Sequence, residues 1–396
     1  MGTQSPTGPG GSRARLQFID LLRGWAVIFM IQTHVLNATL RDQLRGERAY
    51  HLLSFIDGLV APSFIFASGF VFAIALRRKL PDYLSFGPAV GKQVGKLLFV
   101  LALGYVLHLP VFSLRRLIDG VSPDAWAAFW AVDVLQCIAI SLILLLLILQ
   151  IVRTEQRLFA VLPWVAAGIV LLTPVIWSIN PTWMLPLPIA TYLNAGHGSQ
   201  FPLFPWSAFL LSGVAAGGAF VAARGRTPVR DGDDQVRSAI RQFALIGAGM
   251  IASSFLLKPI LSSVYPPHDY WRSSPSFVIL RLGLVLLLLS LCYAYERRKG
   301  VGERSVVALI GRESLLVYAA HLLLIYGEFG GFSFLRWANR SFGYAEVLVV
   351  TVALVGLMVL LALWWDRVRR GDRRRMRLLQ GLALAGFLIA FLVSPG

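Results

Sequence analysis

Charge is scarce in this chain, and acidic charge is scarcest. Asp, Glu, Lys and Arg make up 14% of the 396 residues, with 20 acids against 37 bases. Soluble domains carry about a quarter charged residues, so a string of soluble domains is excluded. Cysteine is nearly absent: Cys137 and Cys292 both fall inside apolar runs, without metal-ligand or redox spacing. A disulfide framework and a thiolate metal site are therefore not expected, and both thiols read as small core hydrophobes. The six histidines are scattered, so no metal is expected. His-Glu-x-x-His, a glycine-rich phosphate loop and a Gly-x-Ser-x-Gly elbow are all missing, which removes the chemistries those motifs carry. No repeat of solenoid length is present.

What the chain has in abundance is apolar sequence. It is 57% hydrophobic, with a mean hydropathy of +0.68, and runs of about 20 apolar residues recur, the length that crosses a bilayer as a helix. We expect an all-α polytopic membrane bundle of about eleven spans: 16–37, 53–76, 93–113, 127–151, 158–178, 205–223, 240–260, 276–295, 305–327, 344–365 and 378–394. Residues 1–15 read as a flexible polar cytoplasmic tail and 16–396 as the transmembrane domain. The tail is not a cleavable signal peptide, having no small-residue cleavage site after a short apolar core.

Basic residues set orientation through the loops they occupy. With the N-terminus in the cytoplasm, 25 Lys and Arg fall on the cytoplasmic side, nine outside, and Arg23, Arg281 and Arg312 within spans. An odd span count then puts the C-terminus outside. The net charge of +17 sits mostly in short loops, where it serves topology and anionic headgroups rather than nucleic acid.

On this orientation all six histidines fall on the outer half. That pattern fits a reactive outer face, or simply longer and more polar outer loops. Residues 179–204 contain no charge and are rich in Pro and aromatics, so the segment is expected to fold back as a re-entrant or interfacial cap. Within it, Asn194 and His197 are suited to a polar substrate pocket. Residues 264–275 carry further aromatics, either for stacking sugar rings or for the headgroup belt.

The stretch 15–34 is apolar enough to span, yet holds Asp20, Arg23 and His34. Charge in a bilayer core is costly and is usually functional. Arg23 and His34 are eleven positions apart, nearly three turns, which puts them on one helix face roughly 16 Å apart. Asp20 lies one turn from Arg23 and can pair with it. The plain alternative is a helix-end ion pair plus a packed histidine. Asp57, Asp133 and Arg281 lie near the outer boundary at the depth of His34. A carboxylate there would orient an imidazole base; each Asp would equally pair with Arg281 or cap its helix.

Arg23, ten intervening residues and His34 resemble the Arg-x10-His signature of membrane acyltransferase family 3. Phe18-Ile-Asp-Leu-Leu-Arg-Gly-Trp-Ala-Val-Ile-Phe-Met is more similar still to the catalytic domain of the heparan-α-glucosaminide N-acetyltransferase family. Ala61-Pro-Ser-Phe-Ile-Phe-Ala-Ser-Gly, Asp133-Val-Leu-Gln, Phe201-Pro-Leu-Phe-Pro-Trp and Gly311-Arg-Glu-Ser-Leu-Leu-Val-Tyr-Ala-Ala-His follow in the same order. The resemblance implies a transmembrane acyltransferase taking an acyl group, acetyl first, from cytoplasmic acyl-CoA to a hydroxyl or amine of an extracytoplasmic glycan or amino sugar. It implies His34 as the base by the first family and His51 by the second; Asp57, read from its depth, joins them as a candidate carboxylate partner. Arg23 and Asp20 would serve the donor. Asn194, His197, Trp206, Asp133, Arg281 and His321 would line the acceptor site. The expected setting is a bacterial inner membrane, and the expected partners are the lipid bilayer and the glycan; a homodimer is left open. A transporter or flippase for a polar or lipid-linked substrate is the alternative, and a non-catalytic scaffold leaves Asp20, Arg23 and His34 on one span unexplained.

Overall fold

A computed structural model describes residues 16–393 apart from 86, 226–228, 303–304, 330–331 and 372. The tail expected over 1–15 lies outside the described residues. In chain order the helices are α1 Gln17–Thr39, α2 Arg48–Asp57, α3 Val60–Leu84, α4 Pro88–Leu107, α5 Leu114–Asp119, α6 Pro123–Trp130, α7 Val134–Val152, α8 Glu155–Ser178, α9 Leu187–Ala190, α10 Leu203–Arg224, α11 Val229–Val264, α12 Pro275–Lys299, α13 Val306–Arg312 and α14 Ser314–Tyr326. A two-stranded hairpin follows, β1 Glu328–Phe329 with β2 Phe332–Ser333, then α15 Phe334–Ala338, α16 Tyr344–Gly371 and α17 Arg373–Val393.

The fold is an all-α polytopic bundle. Among the described residues nine helices are long and apolar enough to cross a membrane, and α13 with α14, bent by 87°, has the form of a broken tenth span or a re-entrant loop. The expected eleventh coincides with Leu378–Val393 of α17, a shorter apolar helix. Local chemistry starts and stops these elements. Pro88 and Pro275 open α4 and α12 at positions with no intrahelical donor to lose. Asp133 and Thr154 cap α7 and α8 through their side chains.

Bilayer helices gain nothing from hiding apolar surface from lipid, so they associate where small residues let backbones touch. A Cβ on Gly69 of α3 would strike the Leu210 carbonyl of α10, and one on Gly213 would strike the Phe66 carbonyl in return. The same reciprocity joins α1 to α13, where Gly24 meets the Val307 carbonyl and Gly311 meets the Asp20 carbonyl. Beside this contact Phe18 is packed edge-on by Phe70 and Tyr293, with Phe220 tilted against it.

Contacts between helix ends sort the loops into two sides. At the end we term inner, Glu296 accepts from the Phe18 N–H at 2.6 Å and Gln150 donates to the Tyr83 carbonyl at 2.8 Å. At the outer end the Arg41 N–H donates to the Phe342 carbonyl at 3.0 Å, and Phe112 packs on Phe387 at 5.0 Å between ring centres. Each of these contacts joins segments that the alternation of spans places on the same side.

The uncharged segment 179–204 folds back over the outer end. Ser199 Oγ accepts from the Val132 N–H at 2.9 Å, and the Val132 carbonyl accepts from Gln200 and Phe201, each at 3.0 Å. The cap therefore fixes the residue immediately before Asp133.

Candidate active site

Two groups of side chains stand at opposite ends of one helix pair. α1 and α14 run in parallel. At the inner end Arg23 donates from Nη2 to Ser314 Oγ at 2.5 Å. At the outer end His34 Nδ1 lies 3.1 Å from the Tyr326 hydroxyl. The helical rise between Arg23 and His34 separates the two groups by roughly 16 Å.

The inner group lines a cleft of about 640 Å³ that holds Arg23, Arg77, Arg78, Arg224 and Asp20, with Ile19, Ile74 and Phe220 as its apolar wall. Arg77, Arg78 and Arg224 are exposed, whereas Asp20 is buried. Arg23 also stands over the Phe64 ring, 5.8 Å from its centre. Four guanidinium groups line the cleft with Asp20, and Arg77 also meets Glu155 at 3.9 Å; the excess of guanidinium suits phosphate oxygens, which it binds bidentately.

The outer group is assembled from four helices. His34 of α1 faces His321 of α14, with ring centres 5.3 Å apart. Tyr318, one turn before His321, donates to Asp133 Oδ2 at 3.0 Å. His108, at the end of α4, places Nε2 3.4 Å from the same carboxylate oxygen. Asp133 Oδ1 accepts from the Val134 N–H at 2.7 Å as the cap of α7. One carboxylate thus ties α4, α7 and α14 together beside the two imidazoles. Nearby, Tyr105 and Tyr192 share a hydrogen bond of 2.9 Å, and burial pushes the Tyr192 phenol above its usual range.

Of the residues read from sequence, His34, His321 and Asp133 come together. Asp57 does not join them: it faces Gln32 and Thr33, on another side of α1. His51 is exposed on α2 with its ring against Tyr50. Arg281 stacks on Phe277 at 4.0 Å and on Trp206 at 5.7 Å, with Gly58 alongside. Asn194 spends its amide on the Ile176 and Ile179 carbonyls, at 3.1 and 2.8 Å, and its oxygen accepts from the Gly196 N–H; it builds the cap. His197 is 3.3 Å from Asn180 Oδ1 within the same segment. Sequence reading missed His108, Tyr318 and Tyr326. Tyr318 had a local signal, standing three positions before His321 and so on the same helix face.

In the outer half both amide atoms of Gln136 and His321 Nε2 are buried without a hydrogen-bond partner. Buried polar groups are ordinarily bonded, so these atoms keep bonding capacity that the protein itself leaves unused. No group of three His, Cys, Asp or Glu side chains suited to a metal occurs among the described residues.

The family model described as heparan-alpha-glucosaminide N-acetyltransferase, catalytic, matches residues 15–258, more than half of the chain. The chain belongs to this family. The matched region supplies Arg23, His34, His108 and Asp133, and the remainder supplies α14 with Tyr318, His321 and Tyr326. A comparison with curated proteins finds no match. Membership makes the chain a membrane acetyltransferase by family.

Proposed function

We propose that the protein transfers an acyl group, acetyl first, from acyl-CoA on the cytoplasmic side to an amine or hydroxyl of an extracytoplasmic glycan or amino sugar. The observation that carries this reading is the α1–α14 pair, with an arginine cleft at one end and two imidazoles at the other. The excess of bases at the inner end supports a cytoplasmic N-terminus in a bacterial inner membrane, and the final apolar helix brings the C-terminus outside.

In this reading Arg77, Arg78 and Arg224 neutralise the donor's phosphates, while Arg23, bonded to Ser314, orders the path leading outward. The acyl thioester supplies an activated carbonyl carbon. At the outer end His34, partly exposed and bonded to Tyr326, accepts the proton of the attacking group. Asp133 fixes Tyr318 and His108 around it, so the rings keep their places as charge develops. Fixed dipoles in a site screened from water are effective on a developing oxyanion.

Incubating the purified protein with radiolabelled acetyl- and succinyl-CoA and a panel of amino sugars tests the reading. Acylated sugar is the expected product. Movement of an acceptor across a vesicle membrane with no acylation would favour a transporter instead.

A further inference from the structure

His321 is fully buried, and its two ring nitrogens are in different situations. Nδ1 lies 2.8 Å from the Val317 carbonyl oxygen. A carbonyl can only accept, so Nδ1 carries the hydrogen and Nε2 carries the lone pair. Nε2 is buried with no hydrogen-bond partner. For His34 the tautomer stays open, because a tyrosine hydroxyl can donate or accept. His321 is therefore the one of the pair whose acceptor atom is fixed by its own helix.

A buried lone pair without a donor is costly. An apolar residue would fill the same space without that cost, so packing does not account for an imidazole there. The surrounding groups do not supply a donor either. Tyr318 gives its hydroxyl hydrogen to Asp133, and the Tyr326 hydroxyl, bonded to His34, makes no hydrogen bond to Nε2. His321 stands beside the His34 ring, 5.3 Å between ring centres, and His34 is partly exposed.

We propose that His321 Nε2 accepts a hydrogen bond from the acyl acceptor itself, from an N–H or O–H adjacent to the one that loses its proton. This rests on the acyltransferase reading and adds a demand on the substrate: the acceptor presents two donors close together. An amine carrying two N–H groups meets the demand, as does a hydroxyl flanked by another hydroxyl or amine. His34 takes one proton as the new bond to the carbonyl carbon forms. The carbon–sulfur bond breaks, the sulfur leaves with the electron pair, and the proton on His34 passes to it, giving the free thiol. His321 holds the second hydrogen throughout and keeps its Nδ1–H on Val317, so it aligns the nucleophile's lone pair without exchanging a proton.

The two amide substitutions separate this role from packing. His321→Asn keeps an N–H able to reach the Val317 carbonyl and removes the acceptor at Nε2. His321→Gln places an amide near Nε2 and gives up the Val317 contact. The full-length protein in nanodiscs would be assayed with acetyl-CoA, an amino sugar, and its N-methyl and deoxy analogues that each lack one donor. The wild type should favour the parent sugar over at least one analogue in kcat/KM by about ten- to a hundredfold, the size expected for one buried hydrogen bond. His321→Asn should lose that preference with the KM for acetyl-CoA unchanged, and His321→Gln should retain part of it. Equal turnover of parent and all analogues by the wild type would overturn the proposal even if neither variant folds. So would an undiminished preference in His321→Asn. Absence of acyl transfer by the wild type with every acceptor is a different result, which overturns the acyltransferase reading and this inference with it.

Discussion

Asp133 is where the outer site is held together at the scale of single residues. It caps α7, accepts from Tyr318 and stands 3.4 Å from His108. Asp133→Asn keeps the shape but loses the charge that strengthens each bond, and a hydrogen bond to a charged group contributes about 1.5–3 kcal/mol. We expect turnover to fall by one to two orders of magnitude, roughly that energy expressed as rate, while the protein still folds. Unchanged turnover in an acyl-transfer assay would make Asp133 a helix cap only. His34→Gln should lower kcat by about two to four orders of magnitude, the usual size of a general-base contribution, with little change in donor KM. Should His34→Gln keep near-full turnover while His51→Gln abolishes it, the base is His51. Arg23→Lys keeps the charge but loses the planar fork, so the KM for acyl-CoA should rise; lost folding with unchanged donor affinity would leave Arg23 a structural partner of Ser314. The Arg23–His34 relation was legible because both lie on one helix, where spacing converts directly into geometry. The meeting of Asp133 with His108 and Tyr318 was not, because those contacts cross between helices far apart in sequence. Asp57 shows the converse: equal depth in the membrane does not make two side chains neighbours when they lie on different sides of α1.

Among elements, α14 has the most unusual position. Sequence alone reads 305–327 as one straight span, since no proline interrupts it. The structure bends it by 87° between Arg312 and Ser314. Gly311 is pressed against the Asp20 backbone, and Glu313 pairs with Arg369 of α16 at 2.7 Å. Both anchors, Gly311 on α1 and Glu313 on α16, are tertiary, which is why no local signal announced the break. The bend lets α14 begin at the level of Arg23 and end beside His34. Gly311→Val would force α13 away from α1, and overpacking of this kind costs about 1–3 kcal/mol. A lower unfolding midpoint in detergent is expected, together with reduced turnover from the misplaced Tyr318 and His321. An unaltered midpoint would show that the contact has slack. The glycine pairs explain why the spans could be placed from hydropathy while their packing could not: hydropathy reports length in the bilayer, and packing depends on which small residues meet.

For the whole molecule the question is which face meets which compartment. The cleft lined by Arg23, Arg77, Arg78 and Arg224 lies at the inner end, so topology and donor binding stand or fall together. A reporter fused at Gly396 should be active only when exported, and cytoplasmic activity would contradict the odd span count. The all-α class and the order of the spans followed from apolar runs alone. The capping role of 179–204 followed from its lack of charge, whereas its hold on Val132 depended on backbone hydrogen bonds that no composition reveals. The most direct test of the account is vectorial transfer. In sealed proteoliposomes of known orientation, labelled acetyl-CoA is confined to the face bearing Arg77 and Arg78, and a membrane-impermeant amino sugar to the other. The account predicts labelled sugar in the compartment opposite the donor. Product formed only when donor and sugar share one compartment would contradict it.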